Sequence, residues 1–104
     1  MIKHLVTESG IYRIKNKVNG AVYIGQAINI RLRVTHHRSL LNKGKHTNKL
    51  LQEDWNLFGE SSFTVKTIKK VSKKNLTYHE RNVIQQHVED GYYVYNSNLE
   101  GGLD

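Results

Sequence analysis

The chain has no cysteine and no proline among its 104 residues, and only one tryptophan and one methionine. Without cysteine there are no disulfides, thiolate zinc sites or thiol nucleophiles, which permits a cytosolic compartment. Without proline there is no Pro-rich linker or interaction arm. No apolar run approaches the about 18 residues of a membrane-spanning helix, and nothing at the N-terminus resembles a signal peptide. Walker loops, nucleophile elbows and dinucleotide-binding glycine motifs are all missing. A more local absence concerns charge: from Ser9 to Gln52 there is no acidic residue.

That acid-free stretch holds nine cations (Arg13, Lys15, Lys17, Arg31, Arg33, Arg38, Lys43, Lys45 and Lys49) together with His36, His37 and His46. From Glu53 to Asp104 there are eight acids and six cations, and the whole chain carries a formal +7. One part of the fold is therefore strongly positive, which suits a polyanionic partner, nucleic acid above all. A plain solvated basic face is the bland alternative. A membrane surface fits less well, because no basic amphipathic helix carries a strong apolar wedge. The 38% of hydrophobic residues suits a folded chain, expected to form one domain over 1–104.

Gly10 to Lys17 reads as a strand, and Asn19-Gly20 as a hairpin turn returning into a strand from Ala21 to Gly25. A two-residue turn there pairs Val18 with Ala21 and puts Tyr12 and Tyr23 on one side of the hairpin. Asn29 can cap a helix from Ile30 to Asn42, with Ile30, Val34, His37 and Leu41 on one face and Gly44 at its end. A second helix is expected from about Thr47 to Phe58, with Leu51, Trp55 and Phe58 as its stripe. Phe63 to Ile68 alternates as a third strand, and a third helix runs from Leu76 to Glu89, stopping near Gly91. Tyr92 to Tyr95 reads as a short strand or extended tail. The order β-β-α-α-β-α predicts an α+β fold: a small three-stranded antiparallel sheet flanked by helices.

Three groups of residues sit oddly in this scheme. Glu80 shares the apolar stripe of the third helix with Leu76, Val83, Ile84 and His87, a costly place for a carboxylate without a partner. It could close a capping box with Thr77, pair with a buried arginine, or serve as a metal ligand or general base. Arg33 and His37 project from one helix face at i and i+4, either as a solvated arginine beside a core-edge histidine or as a phosphate-reading pair. Tyr12 and Tyr23 could be core packing, flanked by Gly10 and Gly25 where a backbone or ligand can approach closely. The remaining histidines have no zinc-ligand spacing.

Gly10-Ile11-Tyr12 followed by Tyr23-Ile24-Gly25 resembles the signature of the GIY-YIG nuclease superfamily. Arg33-x-x-x-His37, Lys43-Gly44-Lys45-His46, the segment Asn48 to Gln52 with Trp55-Asn56 and Phe58-Gly59, Glu80-Arg81 and Tyr95-Asn96 are similar to the catalytic domain of group I intron homing endonucleases in that family. The resemblance runs from about Ser9 to Ser97. Val34 departs from it, standing where an aromatic often follows the arginine, and Arg31 could compete with Arg33.

The resemblance implies the GIY-YIG nuclease fold and a metal-dependent endonuclease, phage or bacterial, that hydrolyses DNA phosphodiester bonds. Tyr12 would act as general base toward the attacking water or orient it, and Tyr23 would bond at the phosphate or support Tyr12. Arg33 would stabilise charge on the phosphate. His37 would assist proton transfer or help lower the tyrosine pKa, which the cation-rich setting is also expected to lower. Glu80 would bind one Mg²⁺ or Mn²⁺, and Asn96 would position the metal site or the phosphate. Arg31, Arg38, Lys43, Lys45, His46 and Lys49 are the expected nucleic-acid contacts. The protein is expected to be monomeric and cytoplasmic, in a bacterial or phage-infected cell. It would be either a stand-alone nuclease or the catalytic domain of a longer protein. Two alternatives remain: a nuclease of single-stranded DNA or RNA, and a non-catalytic nucleic-acid-binding module.

Overall fold

The computed structural model describes residues 4–98. Strands β1 (Gly10–Asn16), β2 (Val22–Ala27) and β3 (Phe63–Lys70) form an antiparallel sheet in the order β2-β1-β3. Helices α1 (Ile30–Asn42) and α2 (Lys49–Phe58) precede β3, and α3 (Leu76–Glu89) follows it. The α+β architecture and the bounds of α1 and α3 are those read from the sequence.

Side-chain alternation along β1 gives the sheet two buried faces. Tyr12 and Ile14 join Val34 and Leu41 of α1 and Leu51 and Trp55 of α2. Ile11 joins Val22 and Ile24 of β2 and Leu76 and Ile84 of α3. So α1 and α2 cover one face and α3 the other. The side chain of Asn29 accepts from the Leu32 N–H, which starts α1, and its buried residues are Ile30, Val34, His37 and Leu41. Asn48 caps α2 in the same way, accepting from Leu51 N–H, so the helix begins at Lys49 and not at Thr47. Losing such a cap costs about 1 kcal/mol.

Two expectations change. The hairpin pairs Lys15 with Val22 and Ile14 with Tyr23, a register two residues from the one expected. Side chains decide this: Asn16 Oδ1 accepts from Val18 N–H, Asn19 Oδ1 accepts from Ala21 N–H, and Gly20 N–H bonds back to Asn16 C=O, so the loop is longer than two residues. A shift of two preserves the face, and Tyr12 and Tyr23 still share a side. The tail is extended, one of the two readings open to it: among the described residues Val94 bridges Val22 in parallel before a 3₁₀ turn at Tyr95–Asn98. Secondly, Thr77 is no N-cap: α3 starts at Leu76, as expected, and its N-cap Asn75 makes no side-chain capping bond. Glu80 is therefore no capping-box member.

Both signature glycines permit a close approach. A Cβ at Gly10 would overlap the Lys69 carbonyl, where β3 bulges at Ile68, and a Cβ at Gly25 would overlap the Tyr12 ring and hydroxyl.

Candidate active site

β2 is an edge strand, and the candidate residues gather around its free edge. From the α1 side come Tyr12, Tyr23, Arg33 and His37. Gln26 and Glu80 come from the α3 side, because Gln26 lies opposite Ile11 and shares its face. Asn96, just after Val94, covers the edge itself: its Oδ1 accepts from Ile24 N–H at 2.9 Å and its Nδ2 donates to Ile24 C=O at 2.7 Å. This clasp satisfies two backbone groups that an edge strand leaves open.

On the α1 side, Tyr12 is only 1% exposed, and its hydroxyl lies 2.5 Å from His37 Nε2. His37 Nδ1 lies 2.7 Å from His46 Nε2, and the Tyr23 ring stands edge-on to both imidazoles. Burial, first of all, holds His37 down at about pKa 3, with the neighbouring His46 and Arg33 adding to it, so the ring is neutral at pH 7. His46 is lowered as well, again mainly by burial. Tyr12 departs from expectation. Burial raises its pKa well above the ordinary tyrosine value, followed by Tyr23, and the Arg33 charge only partly offsets this. The cation-rich setting does not win, because Tyr12 is desolvated while the cations are largely at the surface. Tyr23 is raised too, by burial and then by Glu80.

On the α3 side, Glu80 is half-buried in a cleft of about 270 Å³ lined by Tyr23, Gln26, Thr77, Arg81, Ile84 and Asn96. Gln26 Nε2 donates to Glu80 Oε1 at 3.1 Å, and Oε2 has no hydrogen-bond partner among the described residues. Burial raises the Glu80 pKa, with the Gln26 hydrogen bond and the Arg33 charge pulling the other way. The ion pairs among the described residues are Arg38–Glu60 and Lys70–Glu8, so no buried arginine neutralises Glu80. Arg33 is exposed, and its charge is felt at Tyr12, Tyr23, His37 and Glu80. By contrast, Arg31 donates through Nε to the Leu5 carbonyl. Val34 is core, 1% exposed.

A half-buried carboxylate with one open oxygen suits a hard divalent cation of the Mg²⁺ kind, which is held by one or two carboxylates and takes its other ligands from water and phosphate. No group of three or more His, Cys, Asp or Glu side chains converges among the described residues, so an all-protein cage is not what this donor set offers.

The expected nucleic-acid contacts divide. Lys43, Lys45 and Lys49 are exposed around the α1–α2 turn, as are Arg31 and Arg38, the latter held by Glu60 at 2.6 Å. His46 is a correction: at 8% exposure it lies inside, against His37, and is no surface contact. Sequence reasoning missed two supports, Gln26 beside Glu80 and Gln52, whose Oε1 accepts from His46 N–H. It also missed a second acid-free stretch from Ser61 to His79, with Lys66, Lys69, Lys70, Lys73 and Lys74, all exposed.

Residues 8–93 match the model of the GIY-YIG catalytic domain, and the chain belongs to that family of nucleases. A curated relative, Intron-associated endonuclease 1 of Enterobacteria phage T4, is 42% identical over 52 residues. That match takes in 50% of this chain but only 21% of the phage protein. Among solved structures, the catalytic domain of homing endonuclease I-TevI superposes with a TM-score of 0.73 at 29% identity, covering 84% of this chain and 97% of that one. A mutant of the intron endonuclease I-TevI catalytic domain gives 0.71 at 31% identity, over 76% and 82% of the two chains.

Proposed function

We propose that this domain hydrolyses phosphodiester bonds of duplex DNA, using a tyrosine base and one divalent metal ion held by Glu80. One observation carries the reading: the Glu80 carboxylate and Tyr23 line one cleft, and the Arg33 charge reaches both tyrosines and that carboxylate. A binding module has no need for this convergence of groups.

Arg33 is suited to hold the scissile phosphate, since a free guanidinium offers a bidentate fork to phosphate oxygens. Tyr12 oxygen takes the proton of the attacking water. It must first be a phenolate, a minority state in the free protein because burial raises its pKa. Tyr23, on the same side of the sheet, supports the phosphate or Tyr12. When bound, Mg²⁺ or Mn²⁺ would supply Lewis-acid stabilisation of the leaving oxygen. Glu80 would offer its open oxygen to that ion, while Gln26 holds the other. Asn96 acts from the wall of the cleft, fixing β2 by its bonds to Ile24 and thereby aiming Tyr23.

The exposed lysines and arginines of the α1–α2 side suit a DNA backbone track. Among the described residues no helix is long and apolar enough to cross a membrane. We read the domain as a monomer working in the cytoplasm of a bacterial or phage-infected cell.

The test is to incubate the protein with duplex DNA, single-stranded DNA and RNA, each with Mg²⁺ and with EDTA. Duplex cutting with Mg²⁺ and none with EDTA is expected. Undiminished cutting in EDTA would overturn the role of Glu80, and cutting confined to RNA or single strands would replace the substrate.

A further inference from the structure

We infer that His46 is a positioning residue that locks His37 as a hydrogen-bond donor onto the Tyr12 oxygen, through a chain of fixed polarity starting at the Asn48 backbone. The chain links four groups: Asn48 N–H to His46 Nδ1 at 3.0 Å, His46 Nε2 to His37 Nδ1 at 2.7 Å, and His37 Nε2 to Tyr12 Oη at 2.5 Å.

The polarity follows from which ends are fixed. A backbone N–H can only donate, so His46 Nδ1 must be the bare, accepting nitrogen. A neutral imidazole then carries its hydrogen on Nε2, and this donates to His37 Nδ1. His37 in turn has its hydrogen on Nε2, facing the Tyr12 oxygen. The reverse direction would require His46 to carry hydrogen on Nδ1, and two donors would meet at Asn48 inside a buried pocket, at the cost of an unmade bond. The backbone at His46 is itself held in place. Gln52 donates to the Leu41 carbonyl and so turns its Oε1 toward His46 N–H, which fixes the amide orientation as well.

This separates the two roles open to His37. With its hydrogen already pointing at Tyr12, His37 does not accept the phenol proton. It donates instead, and a donor on the oxygen strengthens as that oxygen becomes a phenolate. The Tyr12 hydrogen is left free to point away from His37. His46 touches neither metal, phosphate nor water in this scheme and acts only through His37. The functional half of the inference rests on the proposed tyrosine base; the tautomer half does not.

The experiment records long-range ¹H–¹⁵N correlations of the histidine rings in the wild-type protein at neutral pH, and steady-state cleavage by His46→Phe and His46→Gln. Phenylalanine keeps the ring shape without the donor, and glutamine restores an N–H near the Nε2 position. We expect His37 and His46 both protonated on Nε2. In His46→Phe, kcat should fall about tenfold or more with KM little changed, as loss of one transition-state hydrogen bond implies. His46→Gln should recover much of that loss. His37 protonated on Nδ1 in the wild type would overturn the chain, whatever the variants do. Full activity in His46→Phe would overturn the positioning role. A wild type with the expected tautomers but no cleavage of any nucleic acid would remove the proposed function and with it His46's role in catalysis, leaving only the chain.

Discussion

Acidification should weaken this protein through His37. Its ring titrates at about 3 in the fold against 6.5 for an ordinary histidine, with burial the main cause. Below pH 6.5 the unfolded chain binds a proton that the folded state refuses, so stability is full above that pH and is lost as pH falls toward 3. Each unit of the gap is worth about 1.4 kcal/mol. Going from pH 7 to pH 5 spans about 1.5 units below the unfolded value, a loss of about 2 kcal/mol. That is a large share of the about 5–15 kcal/mol by which domains are stable. Urea denaturation at both pH values, on the wild type and on His37→Gln, isolates the effect. His46, also lowered by burial, stays in both proteins, so their difference reports His37. Equal losses in the two would refute a neutral, buried His37.

Because burial raises the Tyr12 pKa, the cleavage rate should climb about tenfold per pH unit from pH 7 to beyond pH 9; a plateau near neutrality in single-turnover rates would rule out a Tyr12 phenolate as base. Gly25→Ala should drive a methyl into the Tyr12 ring, with a cost of about 1–3 kcal/mol in thermal or urea melts and loss of cutting; wild-type stability and rate would contradict that packing. Asn96→Ala should release both Ile24 backbone groups and destabilise by about 1–2 kcal/mol, with faster amide exchange at Ile24; unchanged exchange would deny the clasp.

The helices were the most legible part of the sequence. In α1 a capping asparagine and an apolar residue every three or four positions agree, and the buried set Ile30, Val34, His37 and Leu41 follows from that period alone. The hairpin was less legible, because Asn16 and Asn19 each fold a side chain back onto the loop, which a turn dipeptide does not announce. Even so, a two-residue error leaves faces intact, so the tyrosine pair was placed correctly. His46 was not. It follows Gly44 outside any periodic element, and its burial depends on how α2 folds back onto α1. Counting charge over half the chain hid the lysines of β3 beneath the acids around them. The raised pKa of Tyr12 was invisible for a related reason: residue types report charge, whereas desolvation depends on which side chains end up inside.

In the proposed mechanism Glu80 serves the same phosphate as the two tyrosines. Glu80→Gln measures it most directly, since glutamine keeps the acceptor for Gln26 but cannot hold a metal ion as a carboxylate does. The fold raises the Glu80 pKa, so ionised Glu80 costs the folded state stability above the ordinary carboxylate range. At pH 7 the variant should therefore melt higher than the wild type and bind duplex DNA as before, yet leave supercoiled plasmid uncut in Mg²⁺. A folded Glu80→Gln protein that nicks plasmid at the wild-type rate would overturn that mechanism.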